Sequence, residues 1–574
     1  MKLSLCFIAG NVERYIERFI RSFAPLVDEV VMVRAVGFQQ ADHTLEIATG
    51  VCDALGLPFI SREYRNSAAH AEWPHVDDFA AARNESFAAA SHEWVVWADT
   101  DDIIGDASIA TIKSAIQNTP DTVVAYALHY NVPEDGLSVW KERIIRRGSA
   151  RWIHPIHEAL EFGDDAQKKI VRIPGATFEH RPDVRAGRVA NDERNARILD
   201  SIPADQRTTG QAFHLFQSWR ALGRMADAAR LAVETLTQRS NELKPPEKYE
   251  LMIALAQMNQ QPEGRADLLL QAIGLCPERR EAYGEMALTE IALDRPVQML
   301  AWTRAMLALP RPEGYLWNQR EMYYGWCGVN LHAMALRANG DNVGGDVHEI
   351  NHLKRHGAAI SLLHATRGRP EQAARARTLW LKRAADPDSI EHIFAMDADD
   401  EKSGALVLYR HVVQFHRSDS VGAWNLAAAA SHGKILVQLN DDFDPPVHWD
   451  RMLIDAFGGC KDPAVLRVSD GHRTDDLLCL AVMNRARYKQ QGYFLHPKFK
   501  SVFSDNYHSF CAFRDNCIID ARHIVIHHHH PFFNNGQGWD EIYAAHNSPD
   551  RYAEGAAIYE HLTGQKVRTV PPNS

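Results

Sequence analysis

No stretch of the 574-residue chain approaches the roughly 18 consecutive apolar residues that a membrane-spanning helix needs. The opening run Met1–Gly10 is short and strand-like and lacks a signal-peptide cleavage pattern. A cytoplasmic protein without a membrane span is therefore expected. Cysteine is sparse and scattered: eight residues with no CxxC spacing, which excludes a disulfide framework and a structural zinc site. A basic excess is also missing. Lys and Arg total 63 against 74 Asp and Glu, for a net charge of −11. Wide electrostatic capture of nucleic acid depends on clustered Lys and Arg, so it is not expected, although a local basic groove stays compatible with this balance. The run His527–His530 lies well inside the chain, directly after Ile524, Val525 and Ile526, and so belongs to the native sequence rather than to a tag.

Hydrophobic residues at 45% and charged residues at 24% are ordinary globular values. The length predicts three or four domains. Over the first 180 residues, short β-branched runs alternate with helical stretches, the pattern of a parallel sheet with crossover helices. Strands are expected at Leu3–Ile8, Glu29–Val33 and Trp94–Ala98, and a helix at Val12–Phe23. The last of these strands runs straight into Asp99-Thr100-Asp101-Asp102. From about residue 185 the pattern turns helical. Pro277 and Pro310 stand 33 residues apart (277 to 310), each followed by a Tyr, Tyr283 and Tyr315. That interval is close to the 34-residue period of tetratricopeptide helix pairs, and Trp219–Leu236 carries similar spacing. Such a segment serves as a rigid spacer or as a partner-binding groove for another protein. Asn339–Gly345 (NGDNVGG) reads as a linker. Strand-and-helix alternation then resumes at Ile360–His364, Ile393–Met396, Ile435–Leu439 and Val465–Val468. The expected division is 1–184, 185–345 and 346–574.

Strand Ile435–Leu439 ends in Asn440-Asp441-Asp442-Phe443-Asp444, repeating the strand-then-acid order of the first domain. The carboxyl end of a parallel strand is where open α/β sheets bind ligands. Carboxylates grouped there suit a hard divalent cation, Mn²⁺ or Mg²⁺, whose remaining positions are filled by phosphate oxygens and water.

DFAAARNESFAAASHEWVVWADTDD (Asp78–Asp102) and RWIHPIHEAL (Arg151–Leu160) resemble the family 2 glycosyltransferases of the GT-A fold over roughly residues 1–180. SLLHATRGRP, FAMDADDE, AWNLAAAASHGKILVQLNDDFDPP and SDNYHSFCAFRD give the second α/β region the same resemblance in divergent form. The implied fold class is α/β: two GT-A domains, Rossmann-like with mixed, mostly parallel sheets, flanking a central all-α helical-repeat region. The implied activity is metal-dependent, inverting transfer of a sugar from a nucleotide donor, UDP-linked first of all, to a glycan or other hydroxyl acceptor. Residue by residue, the resemblance implies Asp99 and Asp101 as first-domain metal ligands and Asp442 with Asp444, or Asp441 with Asp442, as the second-domain pair. His528 or His530 completes the second site; His157 and His180 are the first-domain counterparts. Arg83 and Asn84 of the Ala-Arg-Asn helix are assigned to the nucleotide sugar. Asp397, with Asp399 behind it, matches the carboxylate that receives the donor base, whereas strand two of the first domain ends in Met32-Val33-Arg34-Ala35 without one. Arg367 and Arg369 are assigned to the diphosphate. General bases for the acceptor hydroxyl are Glu158 in the first domain and Asp505 in the second. Trp152 and Trp449 are sugar-stacking candidates.

Two other readings fit the same residues. One changes the acceptor to a modified nucleic-acid base. The other makes both α/β domains degenerate and the chain a binding scaffold built on its helical middle. Intact acidic clusters at two strand ends favour the enzyme.

Overall fold

The computed structural model describes residues 1–132, 137–163, 169–181, 188–312, 320–415, 419–534 and 540–567. By its contacts the chain divides into two compact units, one built on Met1–Cys276 and one on Pro277–Arg311 with the chain from Arg320 onward. The expected boundary at 184/185 and Tyr315 lie outside the described residues.

In the first unit the strands are β1 (Leu3–Ala9), β2 (Glu29–Arg34), β3 (Phe59–Glu63), β4 (Trp94–Trp97), β5 (Asp102–Ile104), β6 (Val123–Val132), β7 (Leu137–Arg146), β8 (Ala150–Ile153), β9 (Ala159–Phe162) and β10 (Lys169–His180). One sheet has the order β3-β2-β1-β4-β7-β6-β10-β5, and β8 pairs with β9 in a separate ribbon. β2 and β4 are buried at every position and β1 at all but one. Helices cover both faces, which is why these strands read as continuous apolar runs rather than alternating ones. In the second unit the strands are β11 (Ile360–Ala365), β12 (Ile390–Asp397), β13 (His411–Gln414), β14 (Ile435–Leu439), β15 (Phe443–Asp444), β16 (Val465–Ser469), β17 (Val482–Asn484), β18 (Ile518–Val525) and β19 (His527–His528). Its main sheet runs β13-β12-β11-β14-β17-β16-β18. This repeats the first seven positions of the first sheet, the counterpart of its edge strand β5 being β15 in a separate pair with β19, and the neighbouring pairs have the same sense: parallel on both sides of β1 and β11, antiparallel at β4·β7 and β14·β17, parallel at β6·β10 and β16·β18.

The register makes the equivalence residue-specific. Ser4 stands opposite Glu29 and Val95, and Ser361 stands opposite Glu391 and Leu436. Both serines donate to the glutamate beside them, and both glutamates accept a loop N–H, from Ser91 and His432. The next loop N–H, of His92 or Gly433, donates to the serine hydroxyl. The same buried hydrogen bonds thus tie the start of β1, β2 and β4 together in each sheet. Counting along the strands from these pairs sets Asp101 against Asp442, Asp99 against Asn440, and Ala35 against Asp397.

Between the sheets, the described residues from 188 to 356 contain nine helices of 13 to 15 residues and no strand. Prolines begin three of them, at Pro245, Pro262 and Pro296, as the missing N–H at a first helical position allows. Pro277 and Gly223 fall in turns, Gly223 with φ +74°. Pro262 to Pro296 spans 34 residues (262 to 296), the two-helix repeat. The helices do not form a body apart. Phe213, Phe216 and Trp219 share a core with Ile156 and Phe79 of the first unit, and Tyr323, Leu331 and Met334 share one with Leu408 and Tyr409 of the second. The expected linker is instead a tight helix–helix turn. Gly340 (φ +83°) ends the helix Trp326–Ala338, Asp341 caps the helix Asn342–His356 by accepting from the Gly344 N–H at 2.8 Å, and a Cβ on Gly345 would press on the Ala333 carbonyl at 3.0 Å. Glycine marks close packing there, not a flexible joint.

Although the two buried glutamates share their hydrogen bonds, only Glu391 also neutralises a buried cation, Arg410. Removing one partner of a buried ion pair typically costs ~3–5 kcal/mol, whereas losing hydrogen bonds to a lone buried acceptor costs about 1–3 kcal/mol. Glu391→Ala should therefore lower the calorimetric melting temperature more than Glu29→Ala. Equal shifts would contradict the assignment.

Candidate active site

The two acidic clusters occupy equivalent strand ends but balance their charge differently. In the first unit the helix Phe79–Ala89 is started by Asp78, whose side chain accepts from the Ala81 N–H. That helix points Arg83 at the cluster. Arg83 donates to Asp99 Oδ1 (2.6 Å) and Glu158 Oε1 (2.7 Å) and lies against the rings of Trp97 and Trp152. Asn84 exchanges two hydrogen bonds with the backbone of Trp152, fixing β8 beside the helix. Asp102 is fully buried. It meets the equally buried Arg143 at 3.2 Å, accepts the Asp99 N–H, and lies 3.2 Å from His180 Nδ1. Arg143 is enclosed by the rings of Trp97, Tyr130 and Phe178. Burial opposes ionisation of Asp99, yet Arg83 and Arg143 hold its carboxyl well below the usual range. Asp101 has no arginine. Burial, only partly offset by His180, pushes its pKa up to about 6. Burial likewise disfavours charge on His180, but Asp102 and Asp101 outweigh it and raise the imidazole's pKa.

Asp101, Asp102 and His180 bring three ligand atoms within 4.8 Å of one another, the one such group among the described residues. Both Asp102 oxygens are already engaged by Arg143, the Asp99 N–H and His180, so a cation there would compete with built-in donors. His157 is not part of the group. It has φ +54° and stacks on His214 at 3.9 Å in the helical segment, where burial and that neighbour lower its pKa to about 4.

In the second unit the same strand end opens on a cleft of ≈ 580 Å³. Its lining includes Arg367, Arg369, Asp397, Asp441, Asp442, Asp505, His528 and His530, eight of the residues singled out from the sequence. Asp397, ending β12, accepts from Arg367 at 2.6 Å and from Gln414. Asp399 and Asp444 do not line the cleft: Asp399 is exposed and holds the outer side of Arg367, and Asp444 faces His529 at 3.4 Å. The short pair β15·β19 sets His528 opposite Phe443, as β5·β10 sets His180 opposite Asp102. His528 stacks on Phe443 at 4.1 Å, and its Nε2 lies 3.3 Å from Asp442 Oδ2 without forming a well-shaped hydrogen bond. Where the sequence pattern matched two carboxylates to Asp99 and Asp101, the register matches one, Asp442 to Asp101.

Asp442 Oδ1, Asn440 Oδ1 and His528 Nε2 are buried and without a hydrogen-bond partner. Such atoms at a ligand-sized opening are the donor set a Mn²⁺ or Mg²⁺ ion would use, and this site fits one. Burial opposes charge on Asp442, but His528 and the Tyr543 hydroxyl, 2.7 Å away, bring its pKa down to about 2. His530 is held neutral, its pKa lowered to about 4 by burial and His528. Asp505 sits in the first turn of the helix Ser504–Arg514, and burial raises its pKa, the direction that suits proton transfer.

Arg369 forms a bidentate pair with Asp540 and lies 4.1 Å from the centre of the Tyr543 ring. Tyr543, Asp540 and Gln414 carried no sequence signal because their partners are far along the chain. Arg143 was missed because an arginine inside a strand reads as a solvent-facing residue. Neither tryptophan is open to a sugar: Trp152 is buried against Trp97, and Trp449 is fully buried against Trp380.

Residues 4–185 match the family described as Glycosyl transferase family 2. The chain carries a family 2 glycosyltransferase domain. Among curated proteins the chain is similar to a TPR repeat-containing protein of Synechococcus elongatus, with 26% identity over 166 residues, 28% of this chain and 36% of that protein. The chain thus spans little more than a third of that relative's length. Among solved structures it is similar to S. aureus TarS 1–349 (12% identity, TM-score 0.25, covering 62% of this chain and 93% of that one). It is also similar to MamA of MSR-1 (14% identity, TM-score 0.24, covering 29% and 90%).

The raised pKa of Asp101 in the family 2 domain fixes the sign of a pH effect. With a folded-state value of about 6 and an unfolded value near 3.8, the group is protonated in both states below about pH 4 and costs nothing there. Between about pH 4 and 6 the unfolded chain ionises this group while the folded protein keeps it protonated, so stability falls over that window by about 3 kcal/mol at most and is level above it. Asp101→Asn should therefore melt higher than the parent at pH 8 and equally at pH 4, both in chelator. A difference that persists unchanged at pH 4 would rule out this origin.

Proposed function

We propose that the chain transfers a sugar from a nucleoside-diphosphate donor to a hydroxyl acceptor with the help of a divalent cation, and that the C-terminal cleft is the working site. The observation that carries this reading is the conjunction in one cleft of Asp397, Asp442, His528 and Asp505, with buried ligand atoms left unpartnered at Asp442 and His528. Asp442 and His528 would hold Mn²⁺ or Mg²⁺, which when bound supplies positive charge against the diphosphate as it leaves. Asp397, fixed by Gln414, accepts a hydrogen bond from the donor base, as a uracil N–H would offer. Arg367 and Arg369 lie at the cleft wall and give charge-assisted hydrogen bonds to phosphate oxygens. Asp505 accepts the acceptor hydroxyl's proton while that oxygen bonds to the anomeric carbon and the bond from that carbon to the diphosphate oxygen breaks. Attack opposite the leaving group inverts the anomeric centre. A UDP-sugar and a glycan are the preferred substrates, since a net charge of −11 disfavours a nucleic-acid acceptor.

The family 2 domain itself supports a different role. Arg83 and Arg143 engage Asp99 and Asp102, so that Asp101 and His180 would have to hold a cation against those built-in pairs, and Ala35 stands where Asp397 is in the second sheet. We assign it to binding rather than transfer, alongside helices suited to a protein partner.

Asp442→Ala should lower turnover by ~10²–10³-fold, the usual size of one electrostatic contribution at a leaving group. Its melting temperature should stay near the parent's. Asp99→Ala should keep activity and instead lose stability, because it leaves the buried Arg83 with Glu158 as its one carboxylate partner. Both variants are assayed for turnover over a panel of nucleotide sugars with Mn²⁺. Loss of activity in Asp99→Ala alone would reverse the assignment of the working site.

A further inference from the structure

Behind the C-terminal cleft lies a chain of buried polar groups that the mechanism above does not use. His364, on β11, is fully buried, and its Nε2 lies 2.7 Å from Asp441 Oδ1. Its Nδ1 lies 3.0 Å from Nε2 of His392 on β12, which is also buried. The Thr366 hydroxyl donates to the other oxygen of Asp441 at 3.4 Å. His392 lines a cavity of ≈ 30 Å³ with Arg377, Glu391 and Arg410, and its Nδ1 has no hydrogen-bond partner. A carboxylate only accepts, so His364 Nε2 carries a proton; its Nδ1 then accepts, and His392 Nε2 donates. Burial, with His364 and Arg377 nearby, keeps His392 neutral.

The first sheet provides an internal control. The register sets Phe7 against His364, Val30 against His392 and Thr100 against Asp441. Where the position of Asp441 is taken by a residue without a carboxylate, Thr100, both buried histidines are replaced by apolar residues. The fold therefore does not require the polar chain. Burying two imidazoles in a strand core is costly unless each is hydrogen-bonded, and here the hydrogen bonds lead to one cleft carboxylate.

We propose that His364 and His392 are positioning residues that hold Asp441 in one orientation at the cleft wall, as an acceptor for a hydroxyl of the bound sugar donor. This rests on the C-terminal cleft being the working site. Two donors, His364 and Thr366, occupy one direction at each Asp441 oxygen, so the remaining lone pairs are turned in a fixed direction. A carboxylate so held favours a donor with a hydroxyl at the matching position over one without it, because a buried acceptor left unpaired is penalised.

The test uses the full chain with His364→Phe, His364→Gln, Asp441→Asn and the double variant His364→Phe/Asp441→Asn. His364→Phe places at this position the residue that the first sheet carries, and His364→Gln keeps an amide donor. With Mn²⁺ and the accepted nucleotide sugar, His364→Phe should lower kcat/KM by ~10–100-fold, a common cost of losing a supporting hydrogen bond. His364→Gln should recover most of that loss. The loss in His364→Phe should not add to that of Asp441→Asn, since both act through one carboxylate. A crystal structure of His364→Phe should show the Asp441 carboxylate rotated away from Thr366. An unmoved Asp441, or losses that add in full, would overturn the inference. Failure of the functional reading looks different: the parent chain would show no Asp442-dependent transfer, while the orientation of Asp441 in His364→Phe would still decide the role of His364.

Discussion

Carboxylates gathered at the carboxyl end of a central strand repel one another, and in a partly buried setting something positive must balance them. The rest of the molecule's chemistry depends on how that balance is reached. In the N-terminal sheet it is internal for all but Asp101, which faces only His180. Arg83 takes Asp99 and Glu158, Arg143 takes Asp102, and both guanidinium groups are enclosed by aromatic rings. In the C-terminal sheet the equivalent position, Asp442, has a histidine and a tyrosine hydroxyl beside it and an oxygen left over. Arg367 and Arg369 stand further out, each already tied to carboxylates at the rim. A carboxylate tied to an arginine of the fold competes poorly for a metal, whereas an unpartnered oxygen and nitrogen are available ligand atoms.

The same contrast explains why two sheets with the same order over seven strands differ in detail. Their shared features are those that hold strands together: the Ser4–Glu29 and Ser361–Glu391 hydrogen bonds and the short strand pairs that bring His180 and His528 to the acids. Their differences fall at the ligand end, where Ala35 faces Asp397, Thr100 faces Asp441 and Phe7 faces His364 in register. The helices between them in the chain add core to each unit separately.

Much of this was legible in the sequence. Mostly apolar runs of five residues ending in acids placed β4 and β14 and their clusters, because a strand covered on both faces has few polar positions to blur its ends. The helical middle was legible from its proline spacing. The Asn339–Gly345 turn was misread because glycines that permit close helix packing are indistinguishable in sequence from glycines that loosen a linker. Arg143, Gln414 and Tyr543 were invisible because each acts on a residue many positions away, through pairings that only the register fixes. His364 and His392 carried no signal in the sequence; their burial and the hydrogen bond to Asp441 emerge only from the strand register.

The central claim is that the metal-binding strand end is the C-terminal one. Crystals of the full chain grown with Mn²⁺ and UDP, measured at the manganese absorption edge, test it directly through the anomalous difference map. The account predicts a peak between Asp442 and His528, with the diphosphate on its open side. A peak confined to Asp101 and His180, with none at Asp442, would contradict it.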